Sequence, residues 1–190
     1  MLIGALSLVL VACSHDGRTL ATPPPTLATT ATTAPVATSA GGVPQIGSAA
    51  GSMVLTSSAF IPGGAIPQQY SCQGAGTSPP LAWTGVPTDA ASLAISVIDV
   101  DAGAFVHWVL TNLPAGLRSI GEGITPEGAV EGANGAGGTG WTPPCPPAGG
   151  VHHYVFTIYA LKVGCPAANV DELTACASAS ATVVGTYQRS

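Results

Sequence analysis

Asp99 and Asp101 stand two residues apart at the end of an apolar run, while His107 and His152 each open a further apolar run. Carboxylates that end a buried strand are costly unless they are paired or hydrogen-bonded. A neighbouring imidazolium would satisfy them and gain charge stabilisation in return. If these chain segments meet beside the Gly/Pro-rich stretch Trp141–Gly150, they form a small polar pocket walled by proline and aromatic rings. The chemistry on offer is anion binding, with His107 and His152 donating when protonated, the Tyr154 hydroxyl adding a donor, and the aspartates orienting the rings. Binding of that kind weakens as pH rises past the histidine range. Plainer roles compete: an aspartate often caps the amides of its own turn, a buried histidine is often a satisfied core residue, and a buried tyrosine mostly packs.

Other chemistries fit less well. The sequence has no G-x-S-x-G elbow, no P-loop and no dinucleotide fingerprint leading from a strand into a helix, so no cofactor and no enzymatic activity are expected. Asp99, Asp101, His107 and His152 are of the right types to ligate Zn or Mn, which keeps a metal-dependent enzyme as an alternative. A hydrolase working by Asp/His acid–base chemistry lacks an evident nucleophile.

The elements that must position these residues are strands. Leu93, Ile95, Val97, Asp99 and Asp101 alternate with Ala94, Ser96, Ile98 and Val100; Phe105, His107, Val109 and Thr111 alternate with Val106, Trp108 and Leu110. His152, Tyr154, Phe156, Ile158 and Ala160 alternate with His153, Val155, Thr157, Tyr159 and Leu161. All three runs are rich in β-branched and aromatic residues and bounded by turn formers. Apolar residues on both faces imply a sheet covered on both sides. Met53–Leu55, Leu81–Trp83 and Thr182–Gly185 predict shorter strands. One helix is predicted over Asn169–Ser180, capped by Asn169 and with Asp171 and Glu172 in its first turn.

The rest of the chain sets the context. Residues 1–13, MLIGALSLVLVAC, form an apolar run too short to span a bilayer and suited to a secretory signal. Leu10-Val11-Ala12-Cys13 fits the lipobox of bacterial lipoproteins, which predicts a signal peptide over 1–12 and acylation of Cys13. Of residues 21–50, 22 are Ala, Thr, Pro or Ser and none is charged, so 13–50 reads as a disordered tether. Residues 51–190 form the domain, with eight acidic residues against Arg118, Lys162 and Arg189. That balance leaves no basic patch for nucleic acid. An even set of four further cysteines in an exported chain reads as disulfides, with three pairings open. Cys165–Cys176 is the natural local pair, which leaves Cys72–Cys145.

Five segments, taken together, resemble the phosphatidylethanolamine-binding family and its bacterial Raf kinase inhibitor-like branch: Ser78–Trp83, Asp99-Val-Asp-Ala102, His107-Trp108 with Asn112-Leu-Pro114, Pro144-Cys-Pro-Pro147 and His152-His-Tyr154. Their order and spacing match over roughly 51–190, and Cys72 and Cys145 occupy positions where that branch often carries cysteine. The resemblance implies a mainly β fold, a sandwich of two sheets with one or two short helices. It also implies an anion pocket containing Asp99, Asp101, His107, Pro146, His152 and Tyr154. The expected ligand is a phosphate- or carboxylate-bearing small molecule or lipid head group, bound outside the cell membrane by a protein anchored there through its lipid. A protein-interaction module, such as an inhibitor of a secreted protease, is the second reading. The family's D-P-D-A-P turn is Asp-Val-Asp-Ala-Gly here, and the arginine of its H-R-Y strand is His153.

Overall fold

The computed structural model describes residues 52–190. The expected signal peptide, the acylation site at Cys13 and the tether lie outside the described residues.

Two antiparallel sheets enclose one main core. The larger has five strands in the order β6-β4-β3-β7-β8: β3 (Ser92–Asp99), β4 (Phe105–Pro114), β6 (Val130–Glu131), β7 (Val151–Leu161) and β8 (Ala177–Gln188). The smaller has the order β1-β2-β5: β1 (Val54–Thr56), β2 (Leu81–Thr84) and β5 (Ser119–Ile120). Leu55, Leu81, Trp83 and Ile120 of the small sheet pack against Leu93, Ile95, Val97, Phe156 and Ile158 of the large one. The alternation of the sequence is what lets each strand send one apolar row into this core.

The other face of the large sheet is covered only in part. Ala94, Val109, Tyr159 and Leu161 pack with Leu173 of helix α1 (Val170–Cys176). The Asn169 side chain caps α1 by accepting the Glu172 N–H at 3.0 Å, as predicted. The helix, however, ends at Cys176 and not at Ser180. From Ala177 the chain turns extended and pairs with β7 from Leu161↔Ala177 to Val151↔Gln188. Ala-Ser-Ala-Ser-Ala-Thr has the period of a strand, and the long edge of β7 outweighs the helix propensity of its alanines. Both predicted disulfides are present, Cys72–Cys145 and Cys165–Cys176.

β3 sits at the centre of the large sheet, between β4 and β7. Its last residue, Asp99, pairs with Phe105 on one side and Tyr154 on the other. Three strand ends, and the residues that could do chemistry, therefore meet at one end of the molecule.

Candidate functional site

The hollow at that end has a volume of about 150 Å³ and is lined by Asp99, Ala102, Phe105, His107, Thr142, Pro143, Cys145, Pro146, Pro147 and His152. Of the six residues predicted for the pocket, four line it: Asp99, His107, Pro146 and His152.

His107 reaches the hollow by a route that simple alternation misses. Val97 pairs with Trp108 and Ile98 with Val106, so His107 is an extra residue in β4 without a partner on β3. Such a bulge re-aims side chains. Here it puts His107 and Trp108, expected on opposite faces, on the same side of the sheet, where both approach Trp141 at ring-centroid distances of 6.5 and 5.7 Å. His107 is 4% exposed, and its ring centroid also lies 4.9 Å from that of Phe105 and 5.1 Å from that of Tyr154. Its Nδ1–H donates to the Thr142 carbonyl at 2.7 Å, and its own backbone carbonyl accepts the Thr142 N–H at 2.8 Å. Burial holds His107 below the ordinary imidazole range, against the smaller opposing pulls of the Thr142 bond and the Asp99 charge.

His152 is fixed differently. Its Nδ1–H donates to Asp99 Oδ2 at 2.7 Å. The other oxygen of Asp99 accepts the N–H groups of Asp101 (2.9 Å) and Ala102 (3.2 Å). Asp99 thus caps its own turn and orients an imidazole at once, and both carboxylate oxygens are engaged. A carbonyl and a carboxylate can only accept, so each ring carries its proton on Nδ1 and leaves Nε2 as its remaining polar atom.

The wall opposite is the segment Trp141–Pro147, held from several sides. Cys145 is bridged to Cys72, the Cys72 N–H donates to the Pro144 carbonyl at 3.0 Å, and Trp141 Nε1–H donates to the Gly76 carbonyl at 2.9 Å. A loop rich in proline and tied at three points keeps its shape without regular structure.

Two predicted pocket residues lie elsewhere. Asp101 was expected on the face of Asp99, but β3 ends at Asp99 and the chain enters a turn in which Gly103 and Ala104 both have positive φ. Alternation stops where the strand stops. Asp101 is exposed and turned to the outer side, where its Oδ2 accepts the His153 N–H at 2.6 Å and Nδ1–H at 2.9 Å. His153, by its ring and then its backbone, holds the Asp101 carboxyl below the usual carboxylate range. Tyr154 is on the correct face but fully buried beneath the hollow. Its hydroxyl has no hydrogen-bond partner among the described residues, and burial, with the Asp99 charge, pushes its phenol well above the ordinary range. Alternation gives the face of a residue and not its depth.

Sequence reasoning missed the Thr142 carbonyl, Phe105 and Ala102. A backbone carbonyl carries no signal in residue type. Phe105, at the start of β4 on the face of His107, was within reach of the alternation argument. Among the described residues, no three His, Cys, Asp or Glu side chains are grouped as a metal would require, and no helix is long and apolar enough to cross a membrane.

The architecture is a mainly β, two-sheet sandwich with a recessed His/Asp hollow where the three strand ends meet. The family model of phosphatidylethanolamine-binding protein matches residues 56–188. LppC of Mycobacterium tuberculosis, whose name marks it as a candidate lipoprotein, is 41% identical over 150 residues, or 74% of each chain. The crystal structure of a Chlamydia trachomatis protein, described as a candidate phosphatidylethanolamine-binding protein homologue, is similar with a TM-score of 0.67 and 38% identity, over 73% of this chain and 99% of that one. Escherichia coli YbcL, described as a new member of the mammalian family, gives a TM-score of 0.66 and 31% identity with the same coverage. The chain belongs to the phosphatidylethanolamine-binding protein family.

Proposed function

We propose that this protein is a membrane-tethered, extracytoplasmic binding protein, not an enzyme, that takes a small ligand by its anionic head group in the hollow between His107 and His152. The observation that carries this reading is the pair of imidazoles converging on one 150 Å³ hollow, each locked at Nδ1 by a different acceptor. The Asp99 carboxylate beside His152 balances a proton on that ring, so His152 supplies the positive charge and the donor. Prolines and Phe105 exclude water from the flanks, which strengthens a charge-assisted hydrogen bond. Tethering is supported by the Leu10–Cys13 motif and by the similarity to LppC. Calorimetric titration with phosphoethanolamine between about pH 5 and pH 8 tests the reading: affinity is expected to fall as pH rises through the ordinary imidazole range. No binding at any pH, or a flat profile, would overturn it.

A further inference from the structure

The two imidazoles of the hollow are not equivalent, and their difference bears on which anion fits. His152 faces the hollow with a carboxylate at its back, 2.7 Å from Nδ1. His107 has only a neutral carbonyl at its back, 2.7 Å from Nδ1, and its ring is enclosed by Phe105, Trp141 and Tyr154. The charged and titratable groups about His107 are Asp99 from β3 and His152 and Tyr154 from β7. Asp99 has one oxygen on His152 and the other on two amides, and Tyr154 is buried and lies outside the lining. With its proton on Nδ1 and no counter-charge of its own, His107 turns a lone pair toward the hollow.

Resting on the proposed anion-binding role, we infer that the hollow selects an oxyacid that still carries one hydroxyl: the monoanion of a phosphomonoester or phosphonate, whose oxyanion accepts from His152 Nε2 while its P–O–H donates to His107 Nε2. Burial, which makes a second ring proton on His107 less favourable, works in the same direction. A sulfate ester or a phosphodiester such as an intact phospholipid head group has no hydroxyl. Either one would bring an oxygen lone pair against a nitrogen lone pair and leave the buried acceptor unsatisfied. A site built to hydrogen-bond a hydroxyl rejects the analogue that lacks it far more strongly than an apolar wall rejects a change of size.

Methyl phosphate and methyl sulfate isolate this difference. At about pH 5, below the second phosphate ionisation near 6, both are single anions of nearly equal size, and only the phosphate has the proton. Calorimetry on the folded protein is expected to show methyl phosphate binding at least about tenfold more tightly. That preference is expected to shrink at about pH 8, where methyl phosphate has lost the hydroxyl. In His107→Phe, which keeps an aromatic ring in the cage but removes the acceptor, the ratio of the two affinities at pH 5 is expected to collapse toward one. Equal affinities in the unaltered protein, or tighter binding of the sulfate, would overturn the inference and leave the anion site standing. If neither probe binds, the site reading falls and the inference with it. The wild-type comparison decides the matter even if the variant does not fold.

Discussion

Within one end of this molecule are two Asp–His pairs built from neighbouring residues, Asp99–His152 and Asp101–His153, with Nδ1 to carboxylate distances of 2.7 and 2.9 Å. By residue type and distance they are near-duplicates. The Asp99–His152 side chains are 4% and 15% exposed, and the Asp101–His153 side chains 40% and 50%. The inner carboxylate also holds two turn amides, and its histidine faces a hollow shared with a second imidazole. The outer pair bridges the turn after β3 to the start of β7 in solvent. A pair becomes a site through what converges on the same side of the sheet and how much water is excluded there, because solvent leaves an exposed ion pair with little net energy.

The sharpest way to test the partition is to loosen the wall that only the inner pair possesses. The bridge Cys72–Cys145 spans 73 residues and anchors the loop that carries Pro143, Pro146 and Pro147. Replacing both cysteines by serine should cost about 4 kcal/mol by the chain-entropy estimate, measured by urea unfolding. Affinity for phosphoethanolamine should fall with it, since one wall of the hollow is then held only by hydrogen bonds. A loss below about 1 kcal/mol with unchanged affinity would show that the loop is positioned without the bridge.

Next in size is the inner pair itself. Asp99→Ala leaves His152 without its acceptor and strands the Asp101 and Ala102 amides at a largely buried strand end. Breaking such a constellation should cost about 3 kcal/mol and abolish measurable phosphoethanolamine binding, because the ring is no longer held over the hollow. Chemical denaturation and calorimetry on the same preparation check both effects. An unchanged unfolding midpoint would mean that the inner pair is energetically no different from the outer.

How much of this could be read from the chain alone follows the same division. The runs Leu93–Asp99 and His152–Leu161 announce themselves as strands by period two, and their meeting point could be guessed from the polar residues at their ends. The departures come where a local irregularity outranks periodicity. The bulge at His107 puts two consecutive side chains on one face, and no residue type in Val106-His107-Trp108 signals it. The turn at Gly103-Ala104 releases Asp101 from the alternation that holds Asp99. Tyr154 shares the face of His152 but lies one residue pair deeper, and depth depends on how the small sheet closes over the large one. Thr142 acts through its backbone carbonyl, which every residue has. The cap at Asn169 and the acidic first turn mark where the helix starts, but no residue type in Ala177–Ser180 shows that β7 offers a long edge for pairing there.

The smallest expected effect belongs to the outer pair, and its sign can be worked out. His153 holds the Asp101 carboxyl below the ordinary carboxylate range, so the folded chain gives up this proton more readily than the unfolded chain does. Whatever stability the pair adds is therefore present above the unfolded value, near about pH 4, and is lost as pH falls through the lower folded value. Asp101→Asn should consequently shift the thermal unfolding midpoint only slightly at neutral pH and not at all in strong acid, where the protonated carboxyl is as uncharged as the amide that replaces it. Phosphoethanolamine affinity should stay within about twofold of the unaltered protein, as expected for a solvent-screened charge on the far side of the sheet. An Asp101→Asn protein that loses binding as completely as Asp99→Ala would break the comparison outright. The turn would then be transmitting the outer carboxylate's charge or geometry into the hollow, and the two pairs would have to be treated as one functional unit.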